Sequence, residues 1–230
     1  MIRCTRNDMH DTWRFERKFI VPRIAPELEQ VLRTHPAMFR SLYPARFVSN
    51  VYFDTLSFQF VSDTVDGVAN RSKVRVRWYG DHNTYMIHAA LEVKYKYGFL
   101  TRKVVYPLPP FELPMLFSRD FFAHIKASEV PTSLAYTLQT LKPVLSNHYF
   151  RRYFISADRK FRITIDDQLS NSIILRDTPA RSTSSLGTFV ILELKYAPAY
   201  DEEVSSITQY FTARLSKFSK YAYGFEQCRV

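Results

Sequence analysis

The stretch Arg71–Gly80, RSKVRVRWYG, alternates cation and apolar residue at period two, and this constrains the fold more than any other feature of the chain. Successive strand side chains point to opposite faces, so Lys73, Arg75 and Arg77 share one face while Val74, Val76 and Trp78 share the other. The same partition recurs. Glu16 and Lys18 share a face, as do Glu92, Lys94 and Lys96; Arg162, Thr164 and Asp166; Glu193 and Lys195; and Tyr149 and Arg151. The opposite parity is apolar at Leu91, Val93 and Tyr95, at Ile163 and Ile165, and at Leu192 and Leu194; Arg17, between Phe15 and Phe19, is the exception.

This periodicity predicts strands over Arg14–Val21, Ala45–Thr55, the opening stretch, Met86–Lys96, Leu100–Leu108, Asn147–Ser156, Lys160–Asp167 and Thr188–Tyr196. A helix is expected over Ala25–His35, with Pro26 in its first turn. Two short amphipathic helices are expected over Leu116–Ile125 and Ser133–Lys142. A last helix is expected over Asp201–Leu215, its acidic residues at the N-terminal end. Arg176–Gly187 reads as a polar loop. Roughly eight strands in hairpin-like succession predict an α+β fold, an antiparallel β-barrel with helices packed outside it. One domain is expected over residues 1–230, its core running from about 14 to 224.

The 32 Lys and Arg against 22 Asp and Glu give a formal charge of +10. That surplus predicts an anionic partner without choosing among nucleic acid, membrane and polyphosphate. A sheet with one wet face alternates in the same way. Such a face mixes Ser, Thr and Gln among its charges, whereas here Arg and Lys recur at adjacent same-face positions. Helices that cover the apolar faces from outside turn the charged faces inward, into a basic lumen. Isolated buried charges cost several kcal/mol each, and a bound polyanion offsets that cost because guanidinium forks match phosphate oxygens. The few carboxylates on these faces suit a hard divalent cation that shares its coordination with substrate phosphates.

The aromatic residues fall mostly on the parity opposite the cations or in helices, which argues for core and against a stacking platform for nucleic acid. No apolar run is long enough for a transmembrane helix, and the N-terminal MIRCTRNDMHDTWRFERKF has no apolar leader. Cys4 and Cys228 have neither metal spacing nor the pattern of a disulfide framework. A cytoplasmic protein is expected, with no membrane insertion, no nucleic-acid partner and no obligate protein partner.

The segments ERKF, VYFDT, VRVRWYG, LEVK, YFRRYF, FRITID, LELKY and SKFSKYAYG stand in the order found in a VTC domain. From about Arg14 to Gly224 the chain resembles that family, the catalytic module of the vacuolar transporter chaperone complex. The family is a branch of the CYTH-like triphosphate tunnel metalloenzymes. The resemblance implies a basic triphosphate tunnel in which the γ-phosphoryl group of ATP passes to a growing polyphosphate chain, with manganese or magnesium (Mn2+ or Mg2+) as the divalent metal. By position it implies phosphate contacts from Lys18, Arg75, Arg77, Lys94 and Lys103 in the first half of the tunnel and from Tyr149, Arg151 and Arg162 in the second. The closing segment would add Lys217, Ser219 and Lys220. Arg75, Arg77 and Lys220 are the implied catalytic group, and Glu193 the implied metal ligand, ahead of Glu16 and Glu92.

The hydrolytic and cyclase branch of that superfamily carries E-x-E-x-K in its first strand. The stretch here runs Arg14, Phe15, Glu16, Arg17, Lys18, so the first Glu is replaced by Arg14, which favours the VTC branch. The alternatives are a tripolyphosphatase or nucleoside triphosphatase on the same scaffold, or a non-catalytic polyphosphate-binding module.

Overall fold

A computed structural model describes residues 13–22, 28–80, 85–175, 178–184 and 189–229. The alternating stretches form β1 (Arg14–Pro22), β2 (Arg40–Asp54), β3 (Asn70–Tyr79), β4 (Tyr85–Met86), β5 (Ala90–Tyr97), β6 (Leu100–Pro107), β7 (Phe111–Glu112) and β8 (Lys142–Ile155). They continue with β9 (Phe161–Leu175), β10 (Thr178–Ser184), β11 (Phe189–Tyr196) and β12 (Leu215–Ser216). The helices are α1 (Leu28–Thr34), α2 (Gln59–Val65), α3 (Asp120–Lys126), α4 (Thr132–Gln139), α5 (Val204–Thr208) and α6 (Lys220–Arg229). Among the described residues no helix is long and apolar enough to cross a membrane. The first turn expected for α1, with Pro26, lies outside the described residues, as does Cys4.

Eight strands close into an antiparallel ring in the order β9, β11, β1, β6, β5, β3, β2, β8, and β8 pairs back onto β9. Closure removes the exposed edges that an open sheet would present. Register fixes which residues share the inner face. Arg75 lies opposite both Tyr52 and Glu92, and Arg77 opposite Asn50. Asn50 and Val48 lie opposite Asn147 and Tyr149 of β8, and Arg151 opposite Asp166 of β9. Thr164 then meets Glu193, Glu193 meets Lys18, and Lys195 meets Glu16.

The outer parity is covered by helices in two apolar cores. Val74, Val76, Trp78, Leu91 and Val93 pack with Phe121 and Ile125 of α3 and Ala135 and Leu138 of α4. Phe19, Val21, Ile163, Ile165, Leu192 and Leu194 pack with Leu32 of α1 and Val204 and Ile207 of α5. Each such side chain stabilises the fold by about 1.5–3 kcal/mol when buried. The apolar faces therefore drive assembly, and the charged faces are left to line the lumen. Arg17 keeps its outward parity, with Nε donating to Tyr196 Oη at 2.8 Å and Nη2 lying 3.3 Å from Asp201 Oδ1.

The C-terminal reading is corrected. Helix expected over Asp201–Leu215 survives only at Val204–Thr208, and the chain goes on to β12 and α6. The cause is the seam between β1 and β6, which pair only at Arg14 with Thr101 and Phe15 with Leu100. Backbone donors and acceptors need partners when buried, and β12 takes the vacated edge of β1 at Lys18 and Phe19. Part of the expected loop Arg176–Gly187 is also strand, since Thr178–Ser184 pairs along the far half of β9. The expected Met86–Lys96 strand is divided between β4 and β5.

Helix α6 lies across one end of the ring. Its Tyr221 ring stacks on Tyr52 with centroids 4.7 Å apart, and Ala222, Phe225 and Cys228 are buried beside it. The Tyr221 hydroxyl donates to Asp54 Oδ2 at 2.5 Å. Asp54 also accepts from the backbone N–H groups of Phe60 and Val61 at 2.9 and 3.0 Å, so this buried carboxylate fixes the start of α2 and ties β2 to α6. Gly224 faces Asn171 and Leu145, and a β-carbon there would collide with the Asn171 carboxamide.

Candidate functional site

On the wall built by β2, β3, β5 and β6, Glu92 gathers three cations. Arg75 Nε and Nη2 donate to Glu92 Oε2 at 2.8 and 2.6 Å, and Lys103 Nζ donates to Oε1 at 2.8 Å. Arg77 Nη1 stands 3.5 Å from the same carboxylate. The guanidinium planes are fixed from the side: Arg75 Nη1 donates to Tyr52 Oη at 3.2 Å, while Arg77 Nε and Nη2 donate to Asn50 Oδ1 and Tyr149 Oη at 2.7 and 3.0 Å. Burial pushes the Glu92 carboxyl up, but Arg77, Arg75 and Lys103 overcome it and hold the group well below the usual range. Burial brings Lys103 down to about 8 against the pull of Glu92.

The wall of β8, β9 and α6 centres on Asp166, which is 1% exposed. Arg151 grips it with a fork, Nε to Oδ1 at 2.5 Å and Nη2 to Oδ2 at 2.7 Å, and Lys220 Nζ reaches Oδ2 at 2.5 Å. Burial opposes ionisation of Asp166, yet Arg151 and Lys220 lower it to about 2. The Lys220 ammonium lies 4.8 Å from the centroid of the Tyr149 ring and the Arg151 guanidinium 5.2 Å. Both distances are within cation–π range. Because the hydroxyl of Tyr149 also accepts from Arg77, this one side chain ties the two walls together.

Between them stand β1 and β11. Glu193 Oε2 is 2.9 Å from Lys195 Nζ and 3.8 Å from Arg151 Nη2, and its Oε1 is 3.8 Å from Lys18 Nζ. Glu16 is in contact with Lys94 and lies 3.3 Å from Arg14 Nη2. Burial resists ionisation of Glu16, but Lys94, with Lys195 and Arg14, draws it down to about 2. Burial lowers Lys18 to about 8 and Lys195 to about 7, in each case against the attraction of Glu193.

The segment after β12 enters through the β1–β6 seam. Phe218 O accepts from Lys18 Nζ at 2.9 Å, and Ser219 Oγ accepts from Lys73 Nζ at 2.7 Å. Burial, then Lys18, Lys94 and Arg71, hold Lys73 well below its ordinary value. Among the described residues the network thus sets Lys18, Lys73, Arg75, Arg77, Lys94, Lys103, Arg151, Lys195 and Lys220 against the carboxylates of Glu16, Glu92, Asp166 and Glu193.

Of the residues singled out from the sequence, the structure brings together Lys18, Arg75, Arg77, Lys94, Lys103, Tyr149, Arg151, Ser219, Lys220 and Glu193. Arg162 lies opposite Lys195 on the same inner face, with its Nε buried and without a hydrogen-bond partner. Lys217 is exposed, outside this network. Sequence reasoning passed over Asn50 and Tyr52, although their parity within ARFVSNVYFDT, opposite Val51 and Phe53, was a readable signal. It left Lys195 unassigned, and it gave no site role to Asp166, which pairs with Arg151 and Lys220.

Among the described residues no group of three or more His, Cys, Asp or Glu side chains converges on a metal position. Glu16 and Glu193, on adjacent strands and close enough for Glu193 to oppose the ionisation of Glu16, are the donors that fit one. Such a pair suits a hard cation that brings phosphate and water as its other ligands.

The VTC domain family matches residues 13–229. A comparison with curated proteins finds no match. Solved structures that share the fold include the following three. HpAC1 of Hippeastrum, classed as an adenylyl cyclase and described as having a dominant triphosphatase activity, is 15% identical, with a TM-score of 0.52 over 93% of this chain and 95% of that one. The PH1819 protein of Pyrococcus horikoshii is 12% identical, with a TM-score of 0.51 over 93% and 99%. A protein of Vibrio parahaemolyticus classed as an adenylate cyclase is 11% identical, with a TM-score of 0.50 over 89% and 94%.

Proposed function

The chain belongs to the VTC domain family, and on that premise we propose that it is a polyphosphate polymerase that uses ATP as phosphoryl donor. The observation that carries this reading is the surplus of fixed cations on a closed inner wall. A polyanion is the ligand whose charge matches it. Phosphoryl transfer asks a protein for positioning and for neutralisation of charge on the transferring oxygens. Arg75 and Arg77, their planes held by Glu92, Tyr52, Asn50 and Tyr149, grip the transferring group from one wall. Arg151 and Lys220 face it from the other.

No side chain forms a covalent intermediate in this scheme. A terminal oxygen of the polyphosphate attacks the γ-phosphorus, the bond to the β,γ-bridging oxygen breaks, and ADP leaves. A manganese or magnesium ion held at Glu193, with Glu16 beside it, would neutralise part of the charge on the β- and γ-phosphate oxygens. Arg14, 3.3 Å from Glu16, stands where the hydrolytic branch has its first Glu, so the site has one carboxylate fewer than that branch, and this supports the polymerase reading.

The second reading is a tripolyphosphatase, in which water replaces the acceptor; the triphosphatase activity described for HpAC1, which shares the fold, favours it. Phosphorus NMR of the protein with ATP and manganese, then with tripolyphosphate alone, separates the readings. Growth of the internal-phosphate signal from ATP is the expected result. Orthophosphate without that signal makes the protein a hydrolase. If neither substrate changes while tripolyphosphate still raises the melting temperature, the tunnel binds without catalysis.

A further inference from the structure

We propose that Lys195 bars divalent cations from the free tunnel, so that metal enters only together with a phosphate chain. This rests on the reading of the lumen as a polyphosphate site and adds an order of entry to it. The two carboxylates best placed for metal, Glu16 and Glu193, lie on β1 and β11. Lys195 is the direct cross-strand neighbour of Glu16 and stands two residues from Glu193 on the same face of β11. Its ammonium lies 2.9 Å from Glu193 Oε2.

The other approaches to Glu193 are also guarded by cations, with Arg151 at 3.8 Å from Oε2 and Lys18 at 3.8 Å from Oε1. The remaining inner carboxylates offer no better landing. Asp166 is held by Arg151 and Lys220, and Glu92 by Arg75, Arg77 and Lys103. A bare dication meets like charge on every path. Like charges at such distances repel strongly where solvent screening is weak.

A polyphosphate reverses the situation. Its oxygens draw Lys18, Lys195 and Arg151 onto themselves, release the Glu193 oxygens, and bring ligands that complete a metal's coordination. Of the three guards Lys195 stands nearest to Glu193, at 2.9 Å against 3.8 Å for Lys18 and for Arg151, and it also pairs in register with Glu16. Its neutralisation removes the cation nearest Glu193 and opens that carboxylate to metal, while Glu16 keeps Lys94 and Arg14.

Titration of manganese into the whole chain at pH 6, where Lys195 is charged, followed by the electron paramagnetic resonance signal of free Mn2+, tests this without any turnover. The wild type should leave the signal unchanged into the millimolar range. Lys195→Met should bind manganese at least tenfold more tightly, Lys195→Gln should do the same, and Lys195→Arg should behave as wild type. Circular dichroism identifies any variant that does not fold, and the wild-type titration decides the exclusion by itself. Wild-type binding as tight as that of Lys195→Met would overturn the proposal, as would failure of both neutral variants to gain affinity. A separate arm measures the thermal shift produced by tripolyphosphate in the presence of a chelator. Absence of that shift counts against the polyphosphate reading, whereas the metal bar stands or falls on the manganese titration.

Discussion

Glu92→Gln isolates the electrostatic logic of the lumen. Glu92 is 3% exposed and carries two hydrogen bonds from Arg75, one from Lys103, and a longer contact from Arg77. Glutamine keeps the volume and one acceptor but removes the charge, leaving three cations without their shared counter-ion. Removing one partner of a buried pair costs about 3–5 kcal/mol. For a chain of this size each kcal/mol moves Tm by about 2–4 °C, so a fall of roughly 6–20 °C is expected. Were the charged faces on the outside, the same change would cost at most about 1 kcal/mol. Tripolyphosphate restores negative charge at the same cations, so it should raise Tm by more in the variant than in the wild type. Differential scanning fluorimetry at low salt, without metal and with or without tripolyphosphate, reads both quantities. An unchanged Tm, or a ligand-induced rise no larger than that of the wild type, would refute the reasoning.

Arg75→Ala should show the opposite balance. Glu92 keeps Lys103 at 2.8 Å and Arg77 at 3.5 Å, so Tm should move by no more than about 4 °C, while turnover falls about 10²–10³-fold for the loss of one donor to the transferring group; an unchanged rate would exclude its assigned role. The lysines predict an unusual response to alkali. Lys195 titrates near 7 and Lys18 and Lys103 near 8 in the fold, against 10.5 when unfolded. From about pH 7 to 10.5 the unfolded chain thus binds more protons, and stability rises with pH, on the order of 1 kcal/mol per pH unit for each fully titrating group. A Tm that falls steadily from pH 7 to 9.5 would contradict this, and saturating tripolyphosphate should flatten the rise. At the acid end Glu16 and Asp166, near 2 in the fold, contribute stability that is present above about pH 4.5 and lost as pH falls toward 2. A melting series from pH 6 down to 2.5 checks that limb.

The ring was legible because strand parity is a local property. Arg75 and Val76 declare opposite faces whatever lies beyond them, and two sets of apolar faces need helices to cover them. The sense of the ring, charges inward, followed from the same parity once helices were available for the outside. The C-terminal path was not legible in that way. Leu215 and Ser216 are extended because β6 leaves β1 after two paired residues, a long-range circumstance that no local propensity records. The helix α6 carried a signal, since Tyr221, Phe225 and Cys228 recur at helical spacing, but Gly224 in its middle reads locally as a breaker. Within the site, the charged strand residues could be picked out by type. The neutral side chains that aim them, Asn50 and Tyr52, could not be told by type from ordinary strand polarity, although their parity was visible.

Gly224 is one helical turn beyond Lys220, on the same face of α6. Where a side chain would collide with Asn171, the bare backbone lets the helix settle deep into the end of the ring. Upstream, the chain is pinned where β12 pairs with β1 and where Phe218 O meets Lys18. Lys220 therefore hangs between two fixed points, a ladder on one side and an absent side chain on the other. One residue added between them would turn the helix by about 100° relative to its anchor and swing the ammonium away from Asp166. The few residues from Ser216 to Gly224 act as a measured spacer: their number, as much as their identity, decides where the charge of Lys220 falls.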